Sequence, residues 1–331
     1  MRRIISTILT LGLGCFSSVA APDKADSDVA CVWQVKSDTN TVYFVGALPF
    51  LRESDFPLPP QIRQAFDQAE RVVFEIDPTE SKDEQKGQDL IRMGMFADGA
   101  SIKGSVSTKT YKALGDFLSD SGSPRAAMDS FRPWFAAVMI SMTEMMKQGG
   151  RPNLGVGDTI EGWAAEAGKP WSGLEKMEVE LELLQSMSKE IHEYMLKSTL
   201  DEVADADRMI EEMDEGLAAW RRGDTKTLVE MEEQDATEMD KQLERDLVRA
   251  RGDKWLNQIE KTLAGDDIVL FSVGLGHLIG EGNLLSKLEA KGFEVSQLKA
   301  VAPKGKKPKQ KDGDKKNKKP ALIPVVLHPA A

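Results

Sequence analysis

The sequence predicts a mixed α/β fold: a β-sheet core built from strands near both ends of the chain, with a large helical middle region. Short β-rich segments occur before residue 78 and again after residue 266, whereas apolar residues between about 80 and 265 recur at helical spacing. The order strand, helix, strand near the N-terminus suggests a crossover unit. With 41% hydrophobic residues among 331, the chain has enough apolar material for a substantial core, which excludes a wholly disordered protein.

The first twenty residues are typical of a secretory signal peptide. Arg2 and Arg3 give a basic start, an uncharged run follows over residues 4–16, and small residues follow that run. The run is shorter than the ~20 residues that a membrane-spanning helix needs. We therefore expect cleavage after Ala20, removal of residues 1–20, and a secreted protein that is periplasmic or extracellular.

A lipoprotein is the alternative, because Gly14-Cys15 follows two leucines. The residue three before Cys15 is Gly12 rather than leucine, however, which favours ordinary cleavage after Ala20. Cys31 is then the one cysteine of the mature chain and can form no internal disulfide. Two cysteines in the whole sequence also exclude a disulfide scaffold and a Cys-rich zinc module, and three histidines leave little for a His-based metal site.

Residues 303–331 form a Lys- and Pro-rich tail that we expect to be disordered. Nine lysines and two aspartates between Pro303 and Pro320 give a local charge of +7, and no apolar side chain interrupts the segment before Ala321. A segment of this composition cannot bury enough surface to offset the entropy lost on ordering. Residues 21–302 are left as the folded domain.

The charge distribution is polarised between this domain and its tail. Without the +2 of the N-terminal arginines and the +7 of the tail, the net charge falls from −11 for the whole chain to −20 for residues 21–302. The tail is either a solvated extension or an electrostatic attachment to an anionic membrane surface or envelope polymer. Nucleic acid is not expected as a partner, since the acidic domain repels phosphate.

The N-terminal strands are predicted at residues 32–35 and 41–45, joined as a hairpin by a polar segment. After a proline-rich loop, residues 61–70 have apolar positions at helical spacing. Residues 71–77 are the next predicted strand.

The middle region is predicted to consist of two or three antiparallel helices. Residues 131–147 are densely apolar and Met-rich, and the long charged segments 175–222 and 224–249 carry Met and Leu at helical spacing. The methionine pattern indicates core packing rather than a cofactor site.

Two more strands are predicted near the C-terminal end of the domain. Residues 267–273 form a nearly continuous apolar segment, as expected of a strand that is covered on both faces. Gly274-Leu275-Gly276-His277 then leads into a predicted helix that runs through Leu288. Residues 293–298 supply the last strand.

Two glycine turns follow predicted strands, Gly46-Ala47-Leu48-Pro49 and Gly274-Leu275-Gly276-His277. Side chains just beyond the carboxyl end of a buried strand occupy the binding crevice of an open α/β sheet. His277 is therefore a candidate metal ligand or general base, or else it caps the following helix. Glu75 lies in an otherwise apolar strand, where an unpaired carboxylate is costly. It is either a functional acid with a raised pKa or a residue at the exposed end of the strand.

Five segments, in this order along the chain, resemble the TraB/GumN family, to which the Tiki proteases also belong. They are Pro57-Leu58-Pro59-Pro60, Val72-Val73-Phe74-Glu75-Ile76-Asp77, Arg132-Pro133-Trp134, Gly173-Leu174-Glu175 and Gly274-Leu275-Gly276-His277-Leu278-Ile279-Gly280. The resemblance covers about residues 31–300. It implies a mixed α/β core, an envelope or extracellular setting, and a metal-dependent hydrolase or protease site built from two Gly-x-x-His turns and a strand glutamate.

Carried over position by position, the resemblance assigns the second turn to Gly274 and His277 and the strand glutamate to Glu75. The first turn is not intact, because Pro49 stands where the family has histidine, and proline offers neither a ligand atom nor an N–H.

Two further departures from the family pattern lie elsewhere in the chain. Gly157 follows Gly155-Val156 where the family usually has aspartate, and Asp158 comes one place late. The family's Arg-Asn-x-x-Trp element is represented by Arg251-Gly252-Asp253-Lys254-Trp255, in which glycine replaces the asparagine.

The loss of one imidazole weakens the implied metal site. A hydrolytic zinc site normally holds its ion with about three protein ligands. His277 and Glu75, with Glu175 or Asp158 as a third ligand, would hold a divalent ion (Mn²⁺, Mg²⁺, Co²⁺ or Zn²⁺) weakly or not at all.

Two functions are therefore predicted, from different classes. The first is an envelope protein with reduced or lost hydrolase activity, which serves as a binding scaffold for an envelope peptide or polymer. The alternative is a metal-dependent hydrolase of the Tiki/TraB type, with His277 as ligand or base and Glu75 as ligand or acid. The departures at Pro49, Gly157 and Gly252 favour the scaffold.

Overall fold

The computed structural model of the protein describes residues 28–97, 99–124 and 126–300. The predicted signal peptide (residues 1–20), the alternative lipid site at Cys15 and the predicted tail (residues 303–331) lie outside these residues. Within the described ranges, no helix is both long and apolar enough to cross a membrane.

The strands of the described chain form one mixed sheet in the order β4-β3-β5-β2-β1-β6. Strands β4, β3, β5 and β2 run parallel to one another, whereas β1 is antiparallel to both β2 and β6. Their bounds are β1 Val29–Lys36, β2 Thr41–Ala47, β3 Arg71–Ile76, β4 Trp171–Glu175, β5 Val269–Gly274 and β6 Glu294–Lys299. The predicted α/β class, with a mixed sheet built from both ends of the chain, is confirmed.

Helices account for most of the remaining described residues. The α-helices are α1 Pro60–Gln68, α2 Pro78–Ser81, α3 Glu84–Gly94, α4 Thr108–Asp120, α5 Ala126–Asp129, α6 Pro133–Lys147, α7 Val156–Ala167, α8 Met177–Ser186, α9 Lys189–Val203, α10 Ala206–Arg222, α11 Thr225–Glu233, α12 Glu238–Glu244, α13 Ala250–Leu263 and α14 Leu284–Ala290. Short 3₁₀ turns lie at Glu53–Asp55, Ile102–Gly104, Pro152–Leu154 and Leu275–His277, and a π-helical turn at Arg245–Arg249 joins α12 to α13.

The predicted N-terminal hairpin is present, and β5 lies at the centre of the sheet. Trp33 of β1 is opposite Phe44 of β2. The chain then crosses through α1 and returns as β3, but β5 inserts between β2 and β3 and pairs in parallel with both. Phe44 and Phe271 of the neighbouring strands stack with their ring centroids 4.9 Å apart. Because β5 is buried throughout residues 269–273, it is covered on both faces, as its apolar sequence predicts.

Three predictions for the middle region were wrong. The described part of this region contains helices α3 to α13 and strand β4 instead of two or three antiparallel helices. Glu175 ends the parallel strand β4 instead of beginning a long helix. The segment that follows it is divided into three helices, because Ser188 and Asp205 accept hydrogen bonds from backbone N–H groups at the starts of α9 and α10. Such N-capping side chains end the preceding helix by stabilising a new helix start.

The helix predicted to begin at His277 was also wrong. Leu275–His277 is a single 3₁₀ turn, and the next helix begins at Leu284 with Asn283 as its N-cap. Between them, Gly280 and Gly282 have φ values of +78° and +65°, which a helix cannot contain. His277 therefore does not cap the helix that follows it.

The apolar core has two parts. One surrounds the sheet, and the other lies among the helices of the middle region. Met145 of α6 and Met195 of α9 are fully buried in the second part. The prediction that methionines of the middle region pack in the core is confirmed for these two residues.

Two glycines provide a matched test of this architecture. A Cβ atom on Gly173 of β4 would lie 2.6 Å from the Asp77 backbone nitrogen and 2.9 Å from the Glu175 carbonyl oxygen, so the backbone would have to move. A Cβ atom on Gly162 of α7 meets nothing within 4 Å. In urea unfolding, Gly173→Ala should lose about 2 kcal/mol from strain. Gly162→Ala should gain up to about 1 kcal/mol from helix propensity. Equal effects of the two substitutions would contradict this packing.

Candidate functional site

The carboxyl ends of the parallel strands bring the sequence-predicted residues together at one edge of the sheet. Ile76 of β3 is opposite Glu175 of β4, and Ala47 of β2 is opposite Gly274 of β5. Glu75, Glu175 and the turn that carries His277 therefore lie side by side, at the place where an open α/β sheet forms its crevice.

Arg251, on α13, lies at the centre of this group. Its Nη2 is 2.6 Å from Glu75 Oε1, its Nε is 2.6 Å from Glu175 Oε1, and its Nη2 is 3.3 Å from Glu180 Oε2. The arginine side chain is only 1% exposed. A single buried guanidinium thus binds three carboxylates that come from β3, β4 and α8. We call Arg251, Glu75, Glu175 and Glu180 the arginine cluster.

Other donors complete the coordination of two of these carboxylates. Glu75 Oε2 accepts a hydrogen bond of 2.9 Å from the Gly274 backbone N–H. Glu175 Oε2 accepts one of 3.0 Å from the indole N–H of Trp255. Every carboxylate oxygen of Glu75 and Glu175 therefore already accepts a hydrogen bond from the protein.

His277 lies next to the arginine cluster but is not hydrogen-bonded to it. Its ring is buried against Trp255, with 4.4 Å between the ring centroids, and its Nε2 is 3.6 Å from Glu75 Oε1. Neither ring nitrogen has a hydrogen-bond partner. A Cβ atom on Gly252 would lie 3.7 Å from Nδ1, so the glycine offers no side-chain atom to that nitrogen.

Arg249 holds the turn that contains His277. Its guanidinium donates to the carbonyl oxygens of Gly276 and Ile279, both at 2.9 Å, and also binds Glu244 at 2.5 Å. Arg249 is the last residue of the π-helical turn that precedes α13. Such turns are frequent at functional sites. Here the turn places two arginines, Arg249 and Arg251, against the same edge of the sheet.

Burial and neighbouring charges shift the pKa of Glu75 in opposite directions. Burial alone would raise its pKa, but Arg251, His277 and the Gly274 N–H outweigh burial and lower the pKa to about 2. The glutamate is therefore ionised at neutral pH, and its side chain is 13% exposed. The predicted alternative of an acid with a raised pKa was wrong, because Arg251 is close enough to stabilise the charged form.

The pKa shifts of Glu180 and His277 favour the neutral forms of these two groups. Burial raises the pKa of Glu180 to about 8 in spite of Arg251, and the charges of Glu75 and Glu175 add to the rise. Burial lowers the pKa of His277, and the nearby positive charges of Arg251 and Arg249 lower it further against the opposing effect of Glu75. The imidazole is therefore neutral at pH 7, and the pKa of Glu180 is shifted towards its protonated form.

The first glycine turn is fixed by α7 and supplies no ligand. The Leu48 carbonyl accepts a hydrogen bond of 2.8 Å from the Val156 N–H, and a Cβ atom on Gly155 would lie 2.3 Å from the Pro49 oxygen. Asp158 lies in the first turn of α7, next to Gly155, and not in the arginine cluster. Its pKa is raised by burial.

The residues at this edge do not fit a bound divalent ion. Among the described residues, no group of three His, Cys, Asp or Glu side chains is arranged to hold a metal. An ion between His277 and Glu75 would also lie beside the Arg251 guanidinium. At ~4 Å and an effective dielectric constant of ~20, the repulsion between a divalent ion and a single positive charge is about 8 kcal/mol.

Sequence reasoning missed the part played by Arg251, Trp255 and Glu180. The first two belong to the Arg-Gly-Asp-Lys-Trp element, which was noted only for its missing asparagine. A charged residue on an otherwise apolar helical face was the available signal. Glu180 lies in a strongly acidic segment, so nothing in the sequence distinguishes it from its exposed neighbours.

Comparison with family models identifies the chain. The model of the TraB/PrgY/gumN family matches residues 31–297. The chain belongs to this family. Comparison with curated proteins and with solved structures finds no significant match. All the residues of the arginine cluster, together with His277, lie within the part of the chain that the TraB/PrgY/gumN model matches.

Removal of the central guanidinium should destabilise this TraB/PrgY/gumN protein strongly. Arg251→Met leaves buried carboxylates without their positive partner, a change that typically costs about 3–5 kcal/mol. Arg245→Met, on the exposed side of the same helical segment, is the matched control and should change stability by less than about 0.5 kcal/mol. Chemical unfolding of both variants measures the difference, and similar values would contradict the central role of Arg251.

The protonation of Glu180 should make stability depend on pH. The folded state binds this proton more tightly than the unfolded state. The contribution of Glu180 to the free energy of unfolding is therefore fully present below about pH 4.5 and is lost as the pH rises towards 8, by at most about 1.4 kcal/mol per pH unit. Glu180→Gln removes that decline, so the variant should gain stability relative to wild type between pH 5 and pH 8. Glu182→Gln, on the exposed face of α8, is the control and should show a constant difference. A constant difference for Glu180→Gln as well would show that Glu180 is ionised.

Proposed function

We propose that this protein is a non-catalytic member of the TraB/PrgY/gumN family, which keeps the fold as a binding scaffold and has reduced or lost hydrolase activity. The observation that carries the proposal is Pro49, which stands where the family has its first-turn histidine, in a site whose carboxylates are already bound in the arginine cluster. Arg251 itself matches the arginine of the family's Arg-Asn-x-x-Trp element, so the cluster alone does not distinguish this chain from the family. Arg251 binds Glu75 and Glu175, the two carboxylates that the family resemblance and the sheet edge offer to a metal. A guanidinium thus supplies the positive charge that a divalent ion would supply.

The replacements at Pro49 and Gly252 support the same conclusion. Pro49 removes a nitrogen ligand from the end of β2. Gly252 stands where the family has asparagine, and a Cβ atom there would lie 3.3 Å from Leu284 Cγ and 3.7 Å from His277 Nδ1. An amide side chain at this position would be close enough to contact the imidazole. Its absence is consistent with a histidine whose ring nitrogens have no partner.

The alternative function is a hydrolase that uses His277 as a general base. One observation favours it: the imidazole is neutral, lies 3.6 Å from the carboxylate of Glu75, and has no hydrogen-bond partner on either nitrogen. A neutral imidazole with an available lone pair can accept a proton from water or a hydroxyl group. Against it, His277 is 1% exposed and Arg249 fixes its turn, so a substrate would reach the ring only after the turn moves.

An envelope location is part of the proposal and rests on the sequence. The basic start, apolar run and small residues of residues 1–20 support secretion, and the Lys-rich tail supports attachment to an anionic membrane surface or envelope polymer. The bound molecule would then be an envelope peptide, polymer or smaller ligand.

A metal titration separates the two functions. Manganese and zinc are titrated into the wild type and into His277→Ala, and peptide hydrolysis is assayed with each. We expect the two proteins to bind metal equally poorly and neither to turn over substrate, because Arg251 already binds the carboxylates. Stoichiometric binding and turnover by the wild type, both lost in His277→Ala, would contradict the scaffold.

A second pair of variants tests whether the residues at positions 49 and 252 weaken metal binding. Pro49→His with Gly252→Asn restores both family residues, and the same double substitution with His277→Ala is its control. If the two losses weakened an ancestral site, the restored protein should bind metal at least tenfold more tightly than the control. Equal affinities would leave Arg251 as the sole obstacle to metal binding.

A further inference from the structure

A cavity opens at the same edge of the sheet as the arginine cluster, on the side of the two glycine turns. It has a volume of about 340 Å³ and lies between the ends of β2 and β5 and helices α10 and α11. Leu48 and Pro49 line it from the first turn, and Leu275 and Gly276 from the second. The proposed function does not use this cavity, although its wall includes the residue that replaces the family histidine.

The floor of the cavity is apolar and rich in methionine. Its apolar lining includes Met209, Met213 and Leu217 of α10 and Leu228 and Met231 of α11. Methionine side chains are flexible and polarizable, so they adapt to apolar ligands of varied shape. This floor suits an unbranched or irregular apolar chain better than a rigid ring system.

The rim of the cavity is acidic. Among the charged residues of the described chain that line it, five are glutamates and one is an arginine: Glu202, Glu212, Glu215, Glu230, Glu232 and Arg208. Arg208 is 3.3 Å from Glu212, so its charge is directed at one of these carboxylates. Glu215 and Glu230 are exposed to solvent, and Glu230 Oε1 is 3.5 Å from Lys226 Nζ, whereas Glu202 is only 5% exposed. A ligand that binds here meets an excess of negative charge.

We propose that this cavity binds a small cationic amphiphile, with its apolar chain on the methionine floor and its ammonium group among the rim carboxylates. The proposal names the ligand class of the scaffold, and so it rests on the proposed function. The volume lies at the lower end of the ~300–1,000 Å³ typical of small-molecule pockets, which favours a small ligand over a folded partner. The net charge of −20 over residues 21–302 attracts cations towards the entrance and repels anionic amphiphiles.

Two probes of equal chain length and opposite charge test the proposal. Decyltrimethylammonium and decyl sulfate are titrated calorimetrically into the full chain, each below its critical micelle concentration, while far-UV circular dichroism verifies that the protein stays folded. At low ionic strength the cation should bind at least tenfold more tightly than the anion, and salt should reduce the difference. Equal affinities, or no binding of the cation, would overturn the proposal.

Substitutions at Gly216 show whether the ligand occupies this cavity. A Cβ atom on Gly216 of α10 would lie 3.7 Å from the Met231 methyl group, so Gly216→Phe fills the floor. Gly216→Ala is the control, because it changes helix propensity but adds little volume. The phenylalanine variant should lose at least tenfold in affinity for the cation and the alanine variant should not. Unchanged binding by a folded Gly216→Phe protein would show that the probe binds elsewhere.

The rim is tested with two double variants of equal charge. Glu215→Gln with Glu230→Gln removes two rim carboxylates, whereas Glu211→Gln with Glu233→Gln removes two exposed ones on the same helices that do not line the cavity. The ratio of the affinities for the cation and the anion should fall about fivefold more in the first double variant than in the second. An equal fall in both would reject a local role of the rim.

These outcomes are independent of the metal titration. Metal binding and turnover by the wild type, with intact selectivity for the cation, would reject the loss of activity and leave the cavity proposal standing. A metal-free, inactive protein that fails to distinguish the two probes would reject the cavity proposal alone.

Discussion

The structure depends on one buried cation. The guanidinium of Arg251 joins β3, β4 and α8 to α13 through Glu75, Glu175 and Glu180. Removing a charge of this kind from water is costly, and the cost is recovered only when the partners are close and fully hydrogen-bonded. The donors from Gly274 and the Trp255 indole meet that condition for Glu75 and Glu175, whereas Glu180 Oε1 is buried without a hydrogen-bond partner. The helical region is held to the sheet edge through these contacts.

The same arrangement decides what the site can do. A crevice at the carboxyl ends of parallel strands is a general place for ligands in α/β proteins. Here its carboxylates bind a resident guanidinium, and the neighbouring imidazole is neutral, buried and held by Arg249. The chemistry of an ionised carboxylate next to a buried arginine is that of a structural ion network, whereas the open volume at this edge lies beside it, under the methionines of α10 and α11.

The sequence predicted the parts of this structure that depend on long, regular patterns. The strand at residues 71–77 and the apolar strand before Gly274 could be placed, and with them the convergence of Glu75 and His277 at one edge. Strand β4 could not, since it has only five residues and contains a glycine that lies against a neighbouring backbone. The prediction of a helix directly after His277 was wrong because Gly280 and Gly282, both with positive φ, interrupt the segment. The function of Arg251 depends on three residues distant in sequence, and no local pattern shows that.

The most direct test of the central claim is a crystal structure of the wild type grown with excess Mn²⁺ or Zn²⁺, with anomalous diffraction measured at the metal edge. We expect no anomalous peak between His277 and Glu75, and an Arg251 guanidinium that still binds Glu75 and Glu175. A fully occupied metal coordinated by His277 and Glu75, with the arginine displaced, would contradict the central claim.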